Sequence, residues 1–229
     1  MKQIQIGIAF LFWALLAFDC ILIAYEAQPV IRLFSRGLIA PVLLLSLLTQ
    51  TQRTKHKKSK ALITMALMAS WISDVFLLNI NSTTSTTIGF VAFAIARLFY
   101  SFFFMRIAPF RLKSLNVVII GGVLIVAFIA TFWSVALRSI DQNKTQVLTC
   151  AIIIGWLLLT CIHTYSNSRI TKMAWQFFIP AGVFFIFSDT VLALDYFYYK
   201  EATSTILIVA TYAMGQFLLT KGAVKFIKR

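Results

Sequence analysis

The chain has 229 residues, of which 60% are hydrophobic and 12% charged, and its mean hydropathy is +0.88. A soluble domain cannot hide so much apolar surface in one core, so lipid must surround most of the chain. The net charge of +14 does not indicate nucleic-acid binding, because Lys and Arg lie almost entirely in the short connections between apolar runs. We therefore expect an integral membrane protein, with membrane lipids around it and no nucleic acid among its partners.

The apolar residues form eight runs, each near the length of about 20 residues that a membrane-crossing helix needs. The first run has too long an apolar core for a removable leader, so we interpret it as a helix of the protein. The sequence thus predicts an all-α fold, a polytopic membrane bundle of eight transmembrane helices. The predicted spans are residues 4–25, 36–52, 61–80, 88–106, 115–137, 146–165, 174–199 and 203–220.

The distribution of basic residues predicts the orientation of the bundle. The second span is followed by a cluster of Lys and Arg from Arg53 to Lys60, which the positive-inside rule places in the cytoplasm. Alternation then assigns 15 of the 21 basic residues to the cytoplasmic side and 5 to the other side. Both termini are expected in the cytoplasm, and the membrane is expected to be a bacterial inner membrane.

Two halves of the chain resemble each other. Ser73-Asp74 in the third span and Ser188-Asp189 in the seventh are separated by 115 residues, and Arg97 and Gln216 in the spans that follow are separated by 119. Since each half contains four spans, the repeat would be parallel. We expect a single membrane domain made of two pseudo-repeats, residues 1–113 and 114–229.

The aspartates within the spans are the most informative polar residues. A carboxylate at the middle of a span costs at least about 2.5 to 3.5 kcal/mol by insertion scales, so it needs a partner or a function. Asp74 and Asp189 are therefore candidates for a site, although a purely structural ion pair with Arg97 is the alternative. Asp19 has no counterpart in the other half, so we interpret it as a structural hydrogen-bonding residue.

Two polar stripes accompany these acids. Tyr212, Gln216 and Thr220 recur every four residues on the eighth predicted helix and must face the bundle interior. Arg97 and Tyr100 share a face of the fourth predicted helix. Asp195 lies on a different face of its helix from Asp189, beside a run of aromatic residues typical of the membrane interface.

Other kinds of site find little support. The three cysteines, Cys20, Cys150 and Cys161, lie in apolar runs without metal-ligand spacing, and two histidines are too few for a three-histidine zinc centre. The sequence also lacks a Gly-rich phosphate loop and the GxSxG motif of serine lipases. We predict neither a metal nor a cofactor.

With these residues assembled, the chain resembles the YhhN-like lysoplasmalogenase family over most of its length. In the first half, Arg36 to Pro41 is similar to the family's Lys-Pro-Leu-Leu-Met-Pro segment, and Ser73-Asp74 to its Gly/Ser-Asp motif. Gly89 to Phe93 and Ala96 to Tyr100 resemble its Gly-x-x-x-Phe and Ala-His-x-x-Tyr patterns. Arg36-Gly37 replaces Lys-Pro, and Arg97 replaces the family histidine, a group that can exchange protons near neutral pH.

The second half continues the resemblance. Ala181 to Phe185, Ser188-Asp189 and Leu192-Ala193 resemble the family's strongest motif, and Thr211 to Gln216 is similar to its Thr-Tyr-x-x-Ala-Gln. The resemblance implies hydrolysis of the vinyl ether bond of a lysoplasmalogen, a lysophospholipid, to a fatty aldehyde and a glycerophospho-head group.

Vinyl ether cleavage needs an acid and a stabilising carboxylate. We predict that Asp74 and Asp189 form a catalytic dyad that shares one proton, because burial and like charge disfavour two carboxylates side by side. Tyr212 and Gln216 would position substrate or water. Arg97 could hold one aspartate ionised or, like Arg36, bind the lipid phosphate, and Tyr100 lies on the same face as Arg97.

Two other interpretations stay open. The buried acids and Arg97 could form a substrate or proton pathway in a non-enzymatic lipid-binding or proton-coupled transport protein. None of the predicted spans is conspicuously broken, as transport sites often are, and Pro180 and Gly182 are the place where a break would be expected. The change at Arg97 also allows an inactive relative that kept the fold.

Overall fold

The computed structural model describes residues 2–78, 82–110, 116, 119–123, 125–127, 130, 144–195 and 202–229. Within these residues every regular element is helical. A short 3₁₀ turn occupies Thr164–Ser166, and a short π-helical segment occupies Ala174–Phe178. The helices are α1 (Lys2–Ala24), α2 (Pro29–Gln50), α3 (Lys57–Phe76), α4 (Thr83–Ile107), α5 (Lys144–His163), α6 (Thr171–Leu194) and α7 (Ala202–Ile227).

Five of these helices are long and apolar enough to cross a membrane, which confirms part of the predicted eight-span bundle. They are Gln5–Ala24, Pro29–Gln50, Thr83–Ile107, Thr171–Leu194 and Ala202–Ile227. Helix α3 exists as predicted, but Lys60 and Asp74 lower its mean hydropathy. The apolar stretch Ala151–Ser166, which contains most of α5 and the 3₁₀ turn after it, is shorter than a membrane-crossing helix. Most of the fifth predicted span, 115–137, lies outside the described residues, so the count of eight stays a prediction.

Helix α2 begins earlier than the sequence analysis predicted. It starts at Pro29 instead of residue 36. Proline suits the first helical position because an N–H group there would have no partner within the helix, so nothing is lost by its absence. Arg32 therefore lies in the first turn of α2 and not in the preceding connection, and Arg36 follows it one turn later. Their spacing of four residues places both on one face of the helix.

The chain forms two compact units, each described here by itself. The first unit comprises Met1–Phe99 together with Ala223–Arg229, and the second comprises Tyr100–Gly222. This division into units does not test whether residues 1–113 and 114–229 are copies of each other, so the pseudo-repeat stays a prediction.

Helices α1, α2 and α3 of the first unit pack side by side in chain order. Helix α3 is tied to α2 where the Trp71 indole N–H donates to the carbonyl oxygen of Gly37 at 2.8 Å. At the other end of α2, the Thr54 hydroxyl donates to the carbonyl oxygen of Ile227 at 2.8 Å, and Lys228 Nζ donates to Gln50 Oε1 at 2.9 Å. These contacts attach the α2–α3 connection to the last residues of the chain.

In the second unit, helix α6 is not a regular α-helix. A π-helical segment occupies Ala174–Phe178, directly before Pro180. Proline has no N–H to donate to the carbonyl four residues earlier and its ring crowds that carbonyl, so the hydrogen bonds of the preceding turn are rearranged. The buried Phe178 ring packs edge-on against Phe103 and Phe104. Helix α6 is still continuous from Thr171 to Leu194, and its irregular segment lies beside Pro180, where the sequence analysis expected any break.

Helix α7 approaches this π segment closely at Gly222. A Cβ atom at Gly222 would lie 2.6 Å from Cε1 of Phe178 and 2.8 Å from Cβ of Phe177, so only glycine fits. Glycine therefore allows α7 to lie directly against the irregular part of α6.

The turn between α1 and α2 contains a strained residue. Glu26 has a φ angle of 53°. Its N–H donates to the Ile23 carbonyl at 3.0 Å and that of Ala27 to the Leu22 carbonyl at 2.9 Å, the pattern of a Schellman helix end. Glycine is the usual residue at this position because it has no Cβ to clash.

We expect Glu26→Gly to stabilise the protein by about 1 kcal/mol, because it removes the strain of a left-handed non-glycine residue. The thermal unfolding temperature of the purified protein in detergent measures the effect. Glu26→Ala is the matched control, since it removes the carboxylate but keeps the Cβ. An equal gain from Glu26→Ala would contradict the backbone explanation.

Candidate functional site

Asp74 lies on α3, two residues before the end of the helix, and is buried with 4% of its surface exposed. Arg36 Nε of α2 lies 3.8 Å from Asp74 Oδ1, within ion-pair range but longer than a good hydrogen bond. The two groups meet because α2 begins and α3 ends at the same side of the first unit. Arg36, which the sequence suggested as a phosphate contact, therefore lies beside the candidate acid.

A second acid and arginine meet on the same face of α2. Asp19 of α1 is fully buried, accepts a hydrogen bond from the Ser35 hydroxyl at 2.6 Å and lies 3.7 Å from Arg32 Nε. The hydrogen bond agrees with the structural role expected for Asp19. Arg32 was missed by the sequence analysis, although its spacing of four residues from Arg36 was a usable signal.

Arg97 of α4 is almost fully buried, with 1% of its surface exposed. Its guanidinium carbon lies 4.2 Å from the centroid of the Phe93 ring, one helical turn earlier, which is the geometry of a cation–π interaction. The Phe93 ring thus covers the charge of Arg97. This burial makes Arg97 a group of the protein interior.

In the second unit, three predicted site residues form one hydrogen-bonded chain. The Tyr100 hydroxyl donates to Gln216 Oε1 at 2.5 Å, and Gln216 Nε2 donates to the Tyr212 hydroxyl at 3.0 Å. All three are buried, with 0%, 1% and 8% of their surfaces exposed. The spacing of four residues between Tyr212 and Gln216 brings both groups to the same face of α7.

The Phe185 ring of α6 lies beside this polar chain. It stacks on Tyr100 with a centroid distance of 6.0 Å and lies 6.1 Å from Tyr212. A Cβ atom at Gly215 would come within 2.9 Å of the Phe185 ring, so glycine is needed for this close approach. Phe185 and Gly215 therefore fix the positions of the two tyrosines.

Asp189 lies one helical turn after Phe185 on α6 and is buried, with 7% of its surface exposed. The adjacent Ser188 hydroxyl donates to the Ile208 carbonyl at 3.0 Å, which attaches this turn of α6 to α7. Asp189 thus shares a helix face with the ring that supports Tyr100 and Tyr212.

The remaining polar residues are placed as follows. Asp195, predicted on another face of α6 from Asp189, accepts a hydrogen bond from the Ser204 hydroxyl of α7. Thr220 is buried at the end of the polar stripe of α7, and Cys161 is buried as well. Cys150 and the aromatic run 196–199 lie outside the described side chains. Among the described residues, no three His, Cys, Asp or Glu side chains are grouped to hold a metal ion.

A family model described as the YhhN family matches residues 31–223, most of the chain. The chain belongs to the YhhN family. YhhN is the lysoplasmalogenase family. The matched range contains all seven predicted site residues, whereas Asp19 precedes it. No curated protein and no solved structure matches the chain.

The structure thus groups the seven residues in two sets. Arg36, Asp74 and Arg97 belong to the first unit, where Arg36 and Asp74 form an ion pair. The second unit holds the others, Tyr100, Asp189, Tyr212 and Gln216. The dyad of Asp74 and Asp189 stays a prediction.

We expect Tyr100→Phe to destabilise this YhhN protein by about 1 to 3 kcal/mol, because the buried Gln216 carbonyl oxygen loses the tyrosine donor. Thermal unfolding in detergent measures the loss. Tyr165→Phe is the matched control, since Tyr165 is 49% exposed. The double variant Tyr100→Phe/Tyr212→Phe should lose less stability than the sum of the losses in the two single variants, because both tyrosines bond to Gln216. Strict additivity would argue against one connected chain.

Proposed function

We propose that this YhhN protein is a membrane-embedded hydrolase that cleaves the vinyl ether bond of a lysoplasmalogen. The main support is the burial of Asp74 and Asp189 within helices of a chain that is 60% hydrophobic. A buried carboxyl group is expensive in such surroundings, so it indicates chemistry or a structural partner. Membership of the lysoplasmalogenase family supports a role of this general kind.

The reaction requires only water and acid–base catalysis. A carboxylic acid gives its proton to the β-carbon of the vinyl ether, and an oxocarbenium ion forms at the α-carbon. Water adds to this cation and loses a proton, giving a hemiacetal. The hemiacetal collapses to a fatty aldehyde and a glycerophospho-alcohol, so one water molecule is consumed and no electrons are transferred.

We assign the roles of the two acids by their surroundings. Asp74, which forms an ion pair with Arg36, is proposed as the carboxylate that stabilises the oxocarbenium ion and orients water. Asp189 is proposed as the proton donor, and its helix face is shared with Phe185. The cooperation of these two acids is proposed from the sequence, where they occupy equivalent positions of the two halves.

The other polar residues are proposed to bind the substrate. Tyr212 and Gln216, held by Tyr100, would position the reacting carbon or the attacking water, because their mutual hydrogen bonds restrict their rotation. Arg36 remains 15% exposed and is proposed to contact the phosphate of the head group as well as Asp74. Arg97 is buried over Phe93 and is proposed to balance negative charge in the interior. We also propose that both termini lie in the cytoplasm.

We expect Asp189→Asn to abolish aldehyde release from a lysoplasmalogen, because an amide cannot donate the required proton. Purified protein is incubated with the lysoplasmalogen and, in parallel, with the corresponding ester lysolipid, and released aldehyde and released fatty acid are quantified. Aldehyde is expected only from the vinyl ether substrate.

Asp195→Asn is the matched control, because Asp195 is the other aspartate of this region and hydrogen-bonds Ser204. It should retain activity, and unfolding temperatures of both variants establish that they are folded. Ordinary turnover by folded Asp189→Asn would refute the assigned role. Absence of aldehyde with the unmodified protein would count against the hydrolase.

A proton-coupled transport protein is a second candidate, and the π segment of α6 favours it. Short π-helical segments are frequent at functional sites, and Ala174–Phe178 is such a segment within a membrane-crossing helix. Uptake of lysolipid by proteoliposomes under a proton gradient tests this alternative. Gradient-dependent uptake without aldehyde production would favour transport over hydrolysis.

A further inference from the structure

A cleft of about 410 Å³ opens in the first unit where the α2–α3 connection meets the start of α3. Its lining combines the ammonium groups and hydroxyls of Lys57, Lys60, Thr54 and Thr64 with the apolar side chains of Ala61 and Met65. Cationic and hydrogen-bonding groups therefore lie next to an apolar surface. This combination matches an amphiphile with a negatively charged head.

The positive charge of the cleft has no acidic residue nearby in sequence to balance it. No Asp or Glu occurs from residue 27 to residue 73, and none occurs from residue 202 to the end of the chain at 229. The same region contains Arg53, Lys55 and Lys58, and the attached C-terminal residues include Lys228. The lysines in the first turn of α3 lie at the positive end of the helix dipole, which repels their charges. A bound anion would relieve this repulsion.

The loop that forms the cleft is held in place before any ligand binds. Lys60 Nζ donates to the Thr51 carbonyl at 3.0 Å, and the His56 backbone N–H donates to the Thr54 hydroxyl at 2.9 Å. The His56 ring also contacts the Phe226 ring at a centroid distance of 4.9 Å. A preformed loop reduces the entropy that ligand binding must overcome.

An apolar stripe continues from the cleft along α3. Met65, Met68 and Ile72 follow one another by three or four residues and are 53%, 42% and 40% exposed. They extend the face on which Lys57 and Ala61 lie. A lipid whose head group sits at the lysines could therefore lay its acyl chain along this stripe.

We propose that the cleft binds the phosphate head group of an anionic phospholipid, with one acyl chain along the apolar stripe of α3. Lys57 and Lys60 contact the phosphate, and the hydroxyl of Thr64 supplies a further donor. The site is separate from the proposed reaction centre. Lys57 and Asp74 are 17 residues apart on one helix, about 25 Å at 1.5 Å per residue.

The test compares two pairs of lysines that carry the same charge. Lys57→Gln/Lys60→Gln removes the cleft lysines, whereas Lys55→Gln/Lys58→Gln removes two exposed lysines that do not line the cleft. Binding of dihexanoyl phosphatidylglycerol to the purified full chain in neutral detergent is measured by native mass spectrometry. We expect the first variant to lose affinity by about tenfold or more and the second by less than about threefold.

Two further arms decide the nature of the ligand. Dihexanoyl phosphatidylcholine, which is neutral overall, should bind much more weakly than phosphatidylglycerol. Inorganic phosphate at the same concentration should not displace the lipid. Equal binding of the neutral lipid, displacement by free phosphate, or equal losses in both lysine pairs would each overturn the proposal.

Lys60 also holds the loop, so its loss could alter the fold and not only the ligand contact. The single variants Lys57→Gln and Lys58→Gln avoid this difficulty, since neither lysine bonds to the loop in the contacts described above. Lys57→Gln should weaken lipid binding and Lys58→Gln should not. Equal binding by both would contradict the site.

Discussion

The cost of placing a carboxylate in hydrocarbon governs the arrangement of the first three helices. Asp19 and Asp74 come from α1 and α3, and each lies within 4 Å of an arginine on the intervening helix α2. Arg32 and Arg36 are four residues apart, so one face of α2 serves both acids. Because α2 begins at Pro29, Arg32 also lies within the helix, where it reaches Asp19.

In the second unit, three buried and uncharged polar side chains are hydrogen-bonded to one another. Tyr100 comes from α4, Tyr212 and Gln216 come from α7, and the Phe185 ring of α6 supports both tyrosines. Such a chain restricts rotation at both tyrosines. Phe185, the ring that supports this chain, lies one helical turn before Asp189 on α6.

The sequence allowed much of this to be predicted, for reasons that differ from residue to residue. Hydrophobic runs predicted the helices because length and apolarity are local properties, and the four-residue spacing predicted that Tyr212 and Gln216 face inward. The partner of each polar group was not predictable in the same way. Arg32 and Asp19 are brought together by the packing of two helices, and Tyr100 reaches Gln216 across 116 residues. The start of α2 was misjudged because its first turns contain two arginines.

The π-helical segment of α6 has a consequence for how its sequence is interpreted. A π turn accommodates one residue more than an α turn, so the faces before and after Ala174–Phe178 are out of phase by about one residue's rotation, roughly 100°. A helical wheel drawn through the whole of α6 would therefore assign Ser188 and Asp189 to the wrong side relative to Met173.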